Sequence, residues 1–343
     1  WFKSNTAYHS ICAMSLVPFQ AADDIGDRFL SLLQRNGIQP PIGSSLEDEL
    51  LSLTQLVAVM KDPSLTSGPG QVDILRSAAG LHDLVAKVLT VEPLPEFSTF
   101  LPHLRLIGET KVRAASLAQN ASSSTHDDTA RKLAELYIGS LAVHVGIDVA
   151  LDSPTNAKGD NPDVMFTLQE CDQTKPPQRW ALAIKTISST QGQTIFERIK
   201  EAAEQIDAPK CLAERGMVVI NAKSALDHDA LWNPAFADLG SAMKALSDQL
   251  DWLIDSAEKD RPQIEWDDLF TRKVVRPVLF LGQSLVRLPT HAGSHTPTSL
   301  KMLKAYGANG SLDPVGRELA HQMNHWMQTI LLGIPGGAGY PPR

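Results

Sequence analysis

The stretch NPDVMFTLQECDQTKPPQRWALAIKTI, from Asn161 to Ile187, constrains this chain more than any other. Residues 163–170 and 179–187 alternate or run apolar as strands do, and CDQTKPP between them carries the Asp and the prolines of a turn. Strands joined this way form an antiparallel hairpin, so the start of the first faces the end of the second. A hairpin centred near Gln173–Lys175 sets Asp163 opposite Lys185. Side chains alternate with period two, which puts Trp180, Leu182 and Ile184 on one face and Ala181, Ala183 and Lys185 on the other. Ala183 and Lys185 therefore point the same way, toward the neighbourhood of Asp163.

The flanking segments extend this hairpin into a mixed order. Before it, DTARKLAELYIGSLAVHVG carries Leu133, Leu136, Tyr137, Leu141 and His144 at helical spacing with Gly146 closing it, and a short IDVAL strand follows. After it come a helix, TIFERIKEAAEQI, with Phe196, Ile199, Ala203 and Ile206 on one face, and a strand, GMVVIN. The order is helix, strand, strand, strand, helix, strand. Residues 21–108 read as helices throughout, with a Ser/Glu capping box opening SLEDELLSLTQLVAVMKD. The polar run QNASSSTHDD marks a boundary by composition. Beyond GMVVIN lie a long amphipathic helix, FADLGSAMKALSDQLDWLIDSAE, a strand, VVRPVLFLG, and a helix with Pro314 in its first turn. The tail GIPGGAGYPPR reads as mobile. These signals divide the chain into a helical region over 1–120, an α/β core over 121–290, and a C-terminal helix and tail over 291–343.

Composition narrows the function classes. Hydrophobic residues at 43% and charged residues at 20% describe a globular chain. No apolar run reaches the roughly 18–20 residues of a membrane span, and no basic-then-apolar leader opens the sequence, so a soluble cytoplasmic protein is expected. The chain opens on Trp1, ahead of Met14, and the first dozen residues are read as a fragment edge or added sequence. Cys12, Cys171 and Cys211 lack the spacing of a disulfide framework or a zinc site. A net charge of −8 argues against a generally basic nucleic-acid coat and leaves room for a local basic groove. His321 and His325 share a helical face without a third ligand.

A carboxylate beside a lysine at the ends of paired strands is a setting in which hard cations are held for phosphodiester hydrolysis. Magnesium takes oxygen ligands and keeps several waters. Pro162–Asp163 and Ile184–Lys185, within the helix–strand–strand–strand–helix–strand order, resemble the PD-(D/E)XK nuclease superfamily over about residues 128–221. The resemblance implies a restriction-endonuclease-like αβββαβ core, with an N-terminal helical domain and a C-terminal helical extension outside it. It implies that Asp163 binds Mg²⁺ or Mn²⁺, that the Ile184 carbonyl contributes, that Lys185 positions the attacking water, and that Glu135 on the preceding helix holds a second ion. One position departs from the pattern: Ala183 stands where the superfamily has Asp or Glu.

Three explanations compete for Ala183. The acid has been replaced to inactivate the enzyme, it has moved to the following helix at Glu197 or Glu201, or the site is a degenerate one that binds without cutting. The first leads, because Asp163, Lys185 and Glu135 all remain. The expected protein is a metal-dependent DNA endonuclease in antiviral defence or a toxin, and the alternative is a catalytically inactive nucleic-acid-binding or assembly subunit. Lys175, Arg179, Arg198, Lys200 and Arg276 are the expected phosphate contacts. The helical N-terminal region is expected to dock a partner protein or a second copy.

Overall fold

Amphipathic helices and two-faced strands can hide their apolar sides only against one another, and here they do so on both faces of one sheet. The computed structural model describes residues 22–62, 64–65, 70–109, 128–155, 161–168, 176–259, 261–290 and 293–329. QNASSSTHDD up to Asp127, most of CDQTKPP including Lys175, and the GIPGGAGYPPR tail lie outside the described residues. Within them the chain forms α1 (Ala22–Arg35), α2 (Ser45–Lys61), α3 (Gln71–Val91), α4 (Leu101–Glu109) and α5 (Asp128–Ala142). Next come β1 (Ile147–Leu151), β2 (Val164–Leu168), β3 (Gln178–Thr186), α6 (Gly192–Asp207) and β4 (Arg215–Asn221). The rest is α7 (His228–Trp232), α8 (Leu239–Glu258), α9 (Gln263–Asp268), β5 (Val278–Pro289), β6 (His295–Tyr306) and α10 (Pro314–Thr329). The fold class is α/β. No described helix is long and apolar enough to cross a membrane.

The six strands make one mixed sheet in the order β1-β2-β3-β4-β5-β6. β1, β2 and β3 run antiparallel in turn, β3, β4 and β5 run parallel, and β6 returns antiparallel along β5. Both parallel steps need a crossover, supplied by α6 between β3 and β4 and by the α7–α9 segment between β4 and β5. Gly192, at the start of α6, lets that crossover lie close to α8, since a Cβ there would fall 1.7 Å from the Ser256 carbonyl oxygen.

The two faces of β3 separate as the alternation requires. Trp180, Leu182 and Ile184 join an apolar cluster with Phe29 of α1, Leu56 of α2, Leu81 of α3, Leu136 of α5 and Met323 of α10. Ala181 and Ala183 join a second cluster with Ile199 and Ala203 of α6 and Leu250 of α8. The helical N-terminal region thus shares one continuous core with the sheet. At the start of α2 the Ser44 side chain accepts from Glu47 N at 3.3 Å, while Glu47 reaches back to Gly43 N at 2.5 Å.

Two features differ from the sequence reading. The hairpin pairs Val164 with Leu182, so Asp163 continues opposite Ala183 and not Lys185, a shift of two residues that leaves every side chain on its expected face. The segment expected to hold only a helix and tail also contributes β6, paired with β5 from Val278↔Tyr306 to Pro289↔His295. Its buried residues fall at every third position, so the period-two signature of a half-buried strand is missing.

Candidate functional site

The first strand of the hairpin starts one residue after Asp163, and that offset gives the carboxylate its task. β3 runs on past the point where β2 begins, so its next amide on that edge has no strand partner. Asp163 Oδ2 accepts the Ile184 N–H at 2.5 Å and closes the edge with a side chain. The N–H and C=O of one strand residue share an edge, so the Ile184 carbonyl lies on the same side. The Asp163 carbonyl takes the Asp152 N–H at 2.9 Å, which ties the loop to the end of β1.

Glu135 reaches the same place from α5. It is 3% exposed and Asp163 is 7% exposed. The two carboxyl groups are buried together and act on each other. Burial, then the neighbouring Glu135 charge, pushes Asp163 up to about 7, against the pull of the Ile184 N–H and Lys185. Burial also raises Glu135, while Lys132 opposes it. Lys132 Nζ pairs with Glu135 Oε1 at 2.7 Å, and His103 Nε2 meets Glu135 Oε2 at 3.0 Å. Burial, reinforced by Lys132, lowers His103 to about 4, so the ring is neutral at pH 7. With Nε2–H donated to Glu135, the buried Nδ1 is a lone pair with no hydrogen-bond partner.

Lys185 stands at the other side of this pair. It is partly exposed; burial lowers its pKa, while Asp163, Glu201 and Glu135 favour its charge and Arg198 opposes it. Asp163, Glu135 and Lys185, singled out from distant parts of the sequence, are thus brought together at the carboxyl end of β3. His103 and Lys132 were not anticipated. Lys132 sits one helical turn before Glu135 and was legible as an i,i+3 pair, whereas nothing local to His103 announces its partner.

The other expected residues are placed as follows. Ala183 is fully buried in the apolar layer under α6. Glu197 is exposed and bound by Gln193 at 2.7 Å, so of the two candidate acids on α6 it is Glu201 whose charge reaches Lys185. Arg198 pairs with Glu201 at 2.6 Å near Lys185, and Lys200 is exposed on α6. Arg179 is at the far end of β3, six residues or about 20 Å from Lys185. There it donates to the Asp148 carbonyl and Thr167 Oγ1, both at 3.0 Å. Arg276 precedes β5 at that same far end, pairs with Asp267 at 2.6 Å and covers the Phe270 ring at 4.0 Å. Arg179 and Arg276 hold the fold and do not line a groove with Lys185. Among the described residues, no three His, Cys, Asp or Glu side chains are arranged to hold a metal ion.

Comparison of the chain with protein-family models, with curated proteins and with solved structures gave no match.

Proposed function

We propose that the chain is a metal-dependent nuclease whose core, α5–β1–β2–β3–α6–β4, is restriction-endonuclease-like. One observation carries this reading: two buried carboxyl groups, Glu135 and Asp163, lie together beside Lys185 at the end of a strand hairpin. Burial raises both acids toward their protonated forms, and a hard divalent cation can take the place of a proton there. The donors fit Mg²⁺ or Mn²⁺ in kind, being two carboxylates with the Ile184 carbonyl on the same edge. Where such an ion is bound, it supplies polarisation of a phosphate oxygen and a bound water of lowered pKa.

The chain's own residues do the rest. Lys132 and His103 hold Glu135 in orientation through its two oxygens. The Ile184 N–H fixes the Asp163 carboxylate. Lys185, partly open to solvent, is placed to orient the attacking water and to offset charge that develops on the phosphate. DNA as the substrate, a cytoplasmic setting, docking through the helical N-terminal region and a role in defence or as a toxin belong to the same proposal and rest on the resemblance alone.

A second reading, an inactive nucleic-acid-binding or assembly subunit, is favoured by Ala183 itself. It lies fully buried among apolar side chains, an environment that suits alanine. Restoring the acid separates the two. Ala183→Glu should cleave plasmid DNA with Mg²⁺ or Mn²⁺ and lose that activity with Asp163→Ala. Activity of the unaltered chain that disappears with Glu201→Ala or Glu197→Ala would place the acid on α6. Silence in every version would sink the nuclease reading.

A further inference from the structure

A second buried polar cluster lies on the α5 side of the sheet, and it has the opposite charge balance. Asp83 of α3 is its centre. Its Oδ1 accepts from Lys87 Nζ at 2.7 Å and Lys301 Nζ at 2.5 Å, and its Oδ2 from the Tyr137 hydroxyl at 2.7 Å and Gln283 Nε2 at 3.0 Å. Four donors fill the lone pairs of this carboxylate. Lys87 is fully buried and also donates to the Met327 carbonyl at 3.0 Å. Lys301 already balances this carboxylate, and burial lowers Lys87 to about 7, so Lys87 adds part of a positive charge at neutral pH.

Lys223 adds to the excess. It follows β4 directly, and its ammonium lies 5.8 Å from the centroid of the Tyr137 ring. Asp83 acts on it through space, but the oxygens of Asp83 are already taken. Among the described residues no carboxylate or carbonyl accepts from the Lys223 side chain. Burial lowers the Lys223 pKa, the Tyr137 ring offsets only part of the cost of its charge, and an anion from solution removes the rest. Access is available, because Lys223 is only part-buried and the Lys301 side chain is 16% exposed.

The position relates the cluster to the candidate site. Asn221 pairs with Thr186, the neighbour of Lys185, and its amide donates to Thr186 Oγ1 at 3.2 Å. Lys223 is two residues further on, and Tyr137 is two residues beyond Glu135 on α5. We propose that Lys223, backed by the charge of Lys301, binds a phosphate-type oxyanion, which in a nucleic-acid substrate is a backbone phosphate flanking the one held at Asp163, Glu135 and Lys185. The flanking position rests on the nuclease reading, whereas the anion site stands on the Asp83 cluster alone.

Titration of the full chain with inorganic phosphate, and separately with a short DNA duplex, tests this by calorimetry and by the shift in Tm. Phosphate should bind and raise Tm. Lys223→Gln should weaken that binding at least about tenfold, as loss of a charge-assisted hydrogen bond does, and Lys223→Arg should retain it. In phosphate-free buffer Lys223→Gln should melt no lower than the parent, since it removes an unpaired charge. Unchanged phosphate affinity in Lys223→Gln, no phosphate binding by the parent, or a marked fall in Tm of Lys223→Gln without phosphate would each overturn the proposal. Duplex affinity that falls with Lys223→Gln, with phosphate competing, identifies a backbone phosphate as the ligand. Phosphate binding without that effect supports the anion site and identifies free phosphate. Asp163→Ala should leave phosphate binding intact, so a silent Ala183→Glu enzyme and a failed anion site remain separate results.

Discussion

Two buried clusters flank α5, and they solve the problem of buried charge in opposite ways. Around Glu135 and Asp163, burial raises two neighbouring carboxyl groups in spite of Lys132 and Lys185, and the imidazole beside them is neutral. Around Asp83 there is one carboxylate for two bonded lysines and a third nearby. Burial and the Glu135 charge raise Asp163, whereas Asp83, despite its burial, is held well below the usual carboxylate range by Lys301 and Lys87. The difference separates an acid held charged by bonded lysines from an acid that burial keeps close to its protonated form.

Removing one acid from each cluster should sharpen that contrast most. Asp83→Asn strips the counter-charge from Lys87 and Lys301 and should destabilise the protein by about 3–5 kcal/mol, as breaking a buried pair does. Urea unfolding measures it, and a loss no larger than that of a surface substitution would break the comparison. Ala183→Glu adds a third carboxyl group to the acid-rich side. Without divalent ions it should cost roughly 2–3 kcal/mol of stability, the penalty of a buried polar group with incomplete pairing. Mg²⁺ at about 100 times its dissociation constant should return roughly 2.7 kcal/mol. A melting temperature indifferent to Mg²⁺ would show that these acids do not bind it.

Titration of Asp163 gives a smaller effect of definite sign. Its folded pKa, about 7, lies above the ordinary 3.8, so the folded state takes up the extra proton between those values. The stability this provides is complete below about pH 4 and is lost as pH rises through about 7. The side-chain amide of an Asp163→Asn variant is neutral and does not titrate. Below pH 4 the variant should match the parent, and above pH 7 it should be more stable by on the order of 1–3 kcal/mol. His103 contributes an opposite slope between about 4 and 6.5 in both proteins, and only the part of it that the Asp163 charge raises differs between them. A difference that stays flat across this range would refute the raised pKa of Asp163. The smallest effects belong to α6. Glu201→Gln should lower the Lys185 pKa, visible by NMR of the side-chain nitrogen, while Glu197→Ala should leave it in place because Glu197 faces Gln193.

Much of the sheet was legible because its signals are local. The alternation in QRWALAIKT sorted Trp180, Leu182 and Ile184 from Ala181 and Ala183, and the structure keeps that division. Register was less legible, since CDQTKPP is compatible with more than one turn centre. β6 was hidden for a physical reason. Lys301 and Lys304 occupy positions that an amphipathic strand would give to apolar or exposed residues, and both find buried or half-buried partners instead. Lys301 meets Asp83, and Lys304 reaches Asp251 and Ser247 of α8. The expected phosphate contacts at Arg179 and Arg276 illustrate the converse: an arginine in the sequence looks free until the fold supplies a carbonyl, a carboxylate or a ring.

By itself the sequence determined the order α5–β1–β2–β3–α6–β4, the faces of β3, and the presence of Asp163, Lys185 and Glu135 on elements that could meet. Each of these follows from side-chain period or turn chemistry over a few residues. Only the tertiary structure decided that Glu135 and Asp163 are buried together, that His103 and Lys132 hold Glu135, and that Asp83 gathers Lys87, Tyr137, Gln283 and Lys301. Those facts depend on desolvation and on charges up to 218 residues apart, as in the Lys301–Asp83 pair, and such fields exist only once the chain has folded.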